Sequence, residues 1–127
     1  MDKPKILVID DEEGLRFLFK GILGSEGYTV LTASNGFSGI RINEESNPDI
    51  ILLDLRMPGL SGIETLRRIR EKDEDVIVII LTAYGDAETV REAADLNVYE
   101  YMSKPFHNET VKEIIKEALA SAERKDE

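Results

Sequence analysis

The chain has 127 residues, of which 42% are apolar and 33% charged, and 26 acidic side chains against 16 basic ones leave a formal net charge of −10. That length suits one domain with a real hydrophobic core, and the balance of apolar and charged residues excludes a disordered chain. The charge disfavours a duplex-DNA surface, which needs Lys and Arg to neutralise phosphates, and favours divalent cations and basic partner surfaces.

From Met1-Asp2-Lys3-Pro4 the chain passes straight into the apolar run Lys5–Ile9, a first strand. No signal-peptide pattern precedes it, so the cytoplasm is the expected compartment. Leu15, Leu18, Phe19, Ile22 and Leu23 then recur at helical spacing and predict an amphipathic helix from about Glu12 to Glu26. Gly27 closes it as a C-terminal cap. Tyr28–Thr32 is rich in β-branched residues and reads as a second strand. Asn35-Gly36 opens a weaker helix to Glu45, and Asn47-Pro48-Asp49 breaks it.

Ile50–Leu53 is the third strand, followed by the loop Asp54–Gly59 and a helix marked by Ile63, Leu66 and Ile69. Val76–Leu81 is the most apolar run and predicts a central or near-central fourth strand. Ala87–Ala94 forms a short helix, and Val98–Met102 a less apolar fifth strand at the sheet edge. Val111, Ile114, Ile115, Ala118 and Leu119 give the last helix its buried face. The expected core runs over about residues 4–120, with 121–127 as a frayed polar tail or linker stump. No apolar run approaches the roughly 18 residues that a membrane span needs. The pattern is one domain, 1–127, of five βα units: a doubly wound α/β fold with a parallel sheet and helices on both faces.

In such sheets ligands bind beyond the carboxyl ends of the strands. Here those ends carry Asp10-Asp11, Asp54, Thr82 and Lys104. Three carboxylates on one rim repel, and at least one pKa rises unless a cation compensates. The chain has no cysteine and only one histidine, His107, so oxygen ligands and a hard cation such as Mg²⁺ are the natural pairing. With the metal in place Asp54 stays ionised as a nucleophile, and Lys104 can meet phosphoryl oxygens as a point charge.

Taken singly, each piece has a plainer reading. Asp10-Asp11 can cap a helix, Asp54 can open a turn, Lys104 can be a surface lysine and Tyr101 half-buried packing. Together and in order, Val8-Ile9-Asp10-Asp11, Leu53-Asp54-Leu55-Arg56-Met57-Pro58-Gly59, Leu81-Thr82-Ala83 and Lys104-Pro105-Phe106 resemble the receiver domain of two-component response regulators from end to end. The resemblance implies a flavodoxin-like (βα)5 sandwich with strand order 2-1-3-4-5. It implies Asp54 as phosphoacceptor and Mg²⁺, or Mn²⁺ in its place, held by Asp11 and Asp54 directly, by Asp10 through water and by the backbone carbonyl of Arg56. Thr82 resembles the switch hydroxyl, Tyr101 the aromatic that moves with it, and Lys104-Pro105 a peptide that is cis in many relatives.

The implied partners are a sensor histidine kinase or phosphotransfer protein and an effector, attached or separate. The effector is met through the face of the fourth helix, fifth strand and fifth helix, a face through which some relatives form phosphorylation-dependent homodimers. No direct nucleic-acid or membrane contact is implied. Arg56 and Tyr84 flank the expected site, and His107 reads as a polar residue near the start of the last helix. The competing enzyme reading is a Mg²⁺-dependent phosphohydrolase with an aspartyl nucleophile. It wants a second acid two residues after that nucleophile, where this chain has Arg56. A flavodoxin-like nucleotide or flavin binder wants a Gly- or Ser/Thr-rich loop after the first strand, where this chain has Asp10-Asp11-Glu12-Glu13.

Overall fold

The computed structural model describes residues 3–83 and 86–125. Five strands, β1 (Lys5–Ile9), β2 (Thr29–Ala33), β3 (Ile50–Asp54), β4 (Ile77–Thr82) and β5 (Glu100–Ser103), pair in parallel in the order β2-β1-β3-β4-β5. Five helices connect and follow them: α1 (Glu13–Ser25), α2 (Gly36–Ser46), α3 (Gly62–Lys72), α4 (Ala87–Ala93) and α5 (Asn108–Lys125). The expected doubly wound (βα)5 sandwich and its strand order are both present.

Strand side chains alternate between two faces, and here both faces are apolar. Ile6, Val8, Ile50, Leu52, Ile79 and Leu81 pack with Phe19, Ile22 and Leu23 of α1 and Val111, Ile115 and Ala118 of α5. Leu7, Ile9, Ile51, Leu53, Val78 and Ile80 face the other way, onto Ile63, Leu66 and Ile69 of α3 and Ala93 of α4. Burial on both sides explains why the strands read as continuous apolar runs rather than alternating ones.

Local chemistry sets the helix ends. Asn35 caps α2 by accepting the Ser38 N–H at 2.9 Å, and Ser61 caps α3 by accepting the Glu64 N–H at 3.2 Å. Gly27 follows α1 at φ +91°, a conformation that costs other residues a steric clash. Asn47 ends α2 in the left-handed region, φ 48°, as asparagine tolerates.

Several boundaries depart from the sequence pattern. α5 continues through Lys125, so residues 121–125 of the tail expected to fray are helical; Ala, Glu, Arg and Lys are strong helix formers and no breaker interrupts them. α4 stops at Ala93 and tightens into a 3₁₀ turn, Ala94–Leu96, before Asn97 turns left-handed at φ 58°. β5 begins at Glu100 rather than Val98, although the Tyr99 N–H already donates to Val78 O at 2.9 Å. Leu18, counted on the buried stripe of α1, lies at its edge and is exposed beside Phe17.

Candidate functional site

Parallel pairing brings the strand ends together. Ile9 pairs with Leu53, so Asp10 follows beside Asp54; Asp54 pairs with Leu81, ahead of Thr82; and Thr82 pairs with Ser103, ahead of Lys104. Asp10, Asp11 and Asp54 each offer a carboxylate oxygen within 4.8 Å of the others. Asp10 and Asp54 are buried, and Asp11 is exposed. The two buried acids also make local turns, as the plainer reading of Asp54 foresees, but Asp10 does not cap α1, whose N-cap is Glu12 with no side-chain capping bond. Asp10 Oδ1 accepts the Glu12 N–H at 2.9 Å, and Asp54 Oδ1 accepts the Arg56 N–H at 3.2 Å.

Backbone packing fixes where Asp54 stands. Gly62, the first residue of α3, donates its N–H to Leu55 O at 3.1 Å. A Cβ at Gly62 would lie 2.2 Å from the Asp54 carbonyl oxygen, so only glycine permits α3 to start this close beneath the acidic loop.

The electrostatics are those of acids crowded out of water. Burial first, then the Asp10 charge, push the Asp54 carboxyl up from 3.8 to about 6, against the opposing pull of the Arg56 N–H and Lys104. Asp10 is raised chiefly by burial, although the Glu12 N–H and Lys104 work the other way. Burial works against the charge on Lys104, but Asp54, the hydrogen bond to Glu12 and Asp10 outweigh it and leave the ammonium above its ordinary value. Its Nζ lies 3.3 Å from Glu12 Oε1.

A divalent cation suits this donor set. The three groups are all carboxylates, the oxygen donors that Mg²⁺ prefers. Asp10 Oδ2 is buried and has no hydrogen-bond partner among the described residues, and a buried carboxylate oxygen in that condition is costly unless a cation or water meets it.

The remaining expected residues are close by in different states. The Thr82 hydroxyl is buried and donates to Met102 O on β5 at 3.2 Å. Lys104 N–H donates to Thr82 O at 2.9 Å, and the Lys104-Pro105 peptide is cis. Phe106 stacks at a tilt on Phe19, ring centroids 5.3 Å apart, which anchors the Lys-Pro-Phe turn to α1. Tyr101 is half-buried against the α2–α4 side of the core. His107 is exposed just before α5, where its carbonyl accepts the Val111 N–H. Tyr84 lies outside the described residues.

Two neighbours escaped the sequence reading. Glu12 holds Lys104, and Asp86, buried at the start of α4, holds the Arg56 guanidinium. Asp86 carries a weak signal in the sequence, an acid just ahead of a helical stretch, which by itself predicts only a cap.

The whole arrangement coincides with a known family pattern: residues 6–116 match the model of the response regulator receiver domain. The chain belongs to that family. Sporulation initiation phosphotransferase F of Bacillus subtilis is 37% identical over 119 residues, which cover 94% of this chain and 96% of that protein. Regulatory protein AtoC of Escherichia coli is 32% identical over 123 residues, 97% of this chain, but the chain spans only 27% of AtoC. Among solved structures, a CheY-like response regulator receiver domain protein from Methanospirillum hungatei superposes with a TM-score of 0.93 at 27% identity, covering 98% of this chain and 99% of its own.

This receiver domain is therefore a signalling module of the two-component type, and the phosphohydrolase alternative is not favoured. Receiver domains bind Mg²⁺ and act with a histidine kinase or phosphotransfer protein, and the acidic trio is compatible with such an ion. Among the described residues no helix is long and apolar enough to cross a membrane.

Proposed function

We propose that Asp54 accepts a phosphoryl group from a phosphohistidine on a sensor kinase or phosphotransfer protein, and that the modified domain signals to an effector. The observation that carries this reading is the convergence of Asp10, Asp11 and Asp54 at one rim, with a buried oxygen of Asp10 that has no partner among the described residues. Asp11, Asp54 and the Arg56 carbonyl would hold a Mg²⁺ ion, with Asp10 acting through water; Mn²⁺ is a substitute. Such an ion neutralises the trio and spreads the charge that develops on the phosphoryl oxygens. An oxygen of Asp54 forms the new P–O bond as the bond from phosphorus to the donor breaks, and the donor leaves with that electron pair. Lys104 exchanges Glu12 for a phosphoryl oxygen, and the Thr82 hydroxyl turns from Met102 O toward the same group. Release of Met102 O alters β5, and with it Tyr101, so the face of α4, β5 and α5 is the output surface in this reading. It also serves a phosphorylation-dependent homodimer. The domain occupies the cytoplasm, with residues 4–120 as its core.

Incubation with Mg²⁺ and acetyl phosphate, followed by intact-mass measurement, tests the reading. One added phosphoryl group is expected, absent in Asp54→Asn and blocked by chelator. Unmodified wild-type protein under saturating donor would overturn it, and multiple-turnover release of phosphate from many phosphoesters would restore the hydrolase reading.

A further inference from the structure

One buried acid near the site has no part in the steps above. Asp86 opens α4, four residues after Thr82, and its side chain is 3% exposed. One carboxylate oxygen accepts the Ala83 N–H at 2.7 Å, and the other meets Nε of Arg56. Its backbone completes the first turn of α4, since the Val90 N–H donates to Asp86 O at 2.9 Å. Arg56 has its own N–H on Asp54 Oδ1. A continuous path of polar contacts thus runs from the Asp54 carboxylate through Arg56 to Asp86, and from there to Ala83, next to Thr82, and into α4.

The two ends of the ion pair are unlike. The Arg56 side chain is 66% exposed, whereas the Asp86 carboxylate is buried, so a surface cation covers an interior anion. A buried carboxylate depends strongly on such a cover. A guanidinium this exposed can change partners if a stronger anion arrives nearby, and its departure leaves the Asp86 charge uncovered.

We propose that Asp86 is a positioning residue, and that Arg56 is the moving half of a latch between the acidic site and α4. The proposal rests on Asp54 being the phosphoacceptor. A phosphoryl group there brings about −1.5 to −2 charges and three acceptor oxygens within two residues of Arg56. It outcompetes the single carboxylate of Asp86 for the guanidinium fork, which suits phosphate in a bidentate manner. Transfer of Arg56 to the phosphoryl group withdraws the positive charge from Asp86 and loosens the first turn of α4. The result is a population shift in α4 driven from the β3–α3 loop, separate from the Thr82–Met102 route through β5.

Residue-resolved amide exchange on the full chain with Mg²⁺, with and without acetyl phosphate, tests the latch, with intact mass recorded in parallel. Arg56→Ala and Asp86→Asn are compared with wild type; Asn keeps an acceptor for Ala83 N–H but loses the charge that holds Arg56. In the unphosphorylated protein both variants are expected to exchange the Val90 amide about tenfold faster than wild type, while Ile115 in α5 is unchanged. Phosphorylation should accelerate Val90 in wild type and add little in the variants, and Arg56→Lys should restore part of the wild-type protection. Wild-type rates at Val90 and Ala83 in unphosphorylated Arg56→Ala overturn the latch whatever phosphorylation does. A rise spread equally over α5 also overturns it, because the pair would then serve only overall stability. A wild-type chain that gains no mass sinks the Asp54 reading instead, and leaves the exchange rates of the unphosphorylated variants to judge the pair.

Discussion

The two halves of the site are built differently. Asp10 directly follows β1 and Asp54 ends β3, adjacent interior strands on which Ile6–Ile9 and Ile50–Leu53 are all fully buried. Thr82 and Lys104 stand on the β4–β5 side, where β5 is a four-residue edge strand with only Met102 buried. The acids are set in a buried wall, and Thr82 ends β4, which is buried on both faces as well, but its hydroxyl and the Lys104 ammonium are engaged at the margin, with Met102 O of β5 and with Glu12. A cation site needs the first property, since carboxylates must stay crowded despite their repulsion. A switch needs the second, since its parts must exchange partners with small free-energy differences.

Stability measurements give the largest expected contrast. Leu52→Ala, at a fully buried position on β3, should cost about 2–5 kcal/mol in urea unfolding through lost burial and a cavity. Tyr101→Ala on the half-buried edge strand should cost about 1 kcal/mol. Equal costs at the two positions would erase the distinction between wall and margin.

The wall should also show itself in pH dependence without metal. Asp54 titrates at about 6 in the fold against an ordinary 3.8, so between those values the folded chain keeps a proton that the unfolded chain has lost. Stability contributed by that proton is present below about pH 4 and disappears as pH rises through 6. The loss attributable to Asp54 is on the order of 3 kcal/mol, and Asp10, raised for the same reason of burial, acts in the same direction. Asp54→Asn should flatten this slope, and Mg²⁺ should offset it at neutral pH, with about 2.7 kcal/mol gained at a hundredfold excess over its dissociation constant. Metal-free wild type whose urea midpoint rises steadily from pH 4 to 6.5 while Asp54→Asn does not would show that the acids are not strained.

The same contrast governs what the sequence reveals. β1, β3 and β4 are legible because burial on both faces leaves unbroken runs such as Ile50-Ile51-Leu52-Leu53, and their ends point directly to Asp10 and Asp54. β5 is harder to bound, because an edge strand buried on one side carries few apolar residues, and its sequence pattern points to Val98 whereas the strand begins at Glu100. The helical tail of α5 has little apolar periodicity beyond Leu119, and only its helix propensity marks it. Asp86 and Glu12 were missed for another reason. Their partners, Arg56 and Lys104, are 30 and 92 residues away, and no local pattern encodes which surface cation a given acid will meet.

The smallest expected effect tests the margin most directly. Thr82→Val keeps the shape of the side chain and removes the hydroxyl that donates to Met102 O. Loss of one neutral hydrogen bond should lower stability by only about 1 kcal/mol. Phosphoryl acceptance from acetyl phosphate should survive, because the hydroxyl contributes no electrons to the new P–O bond. What should disappear is the response of β5: on phosphorylation the wild-type Tyr101 and Met102 resonances should shift, and in Thr82→Val they should stay in place. The Arg56–Asp86 latch does not pass through this hydroxyl, so α4 should still respond in the same sample. Simultaneous loss of both responses would mean that the margin moves as one body rather than through two separate contacts.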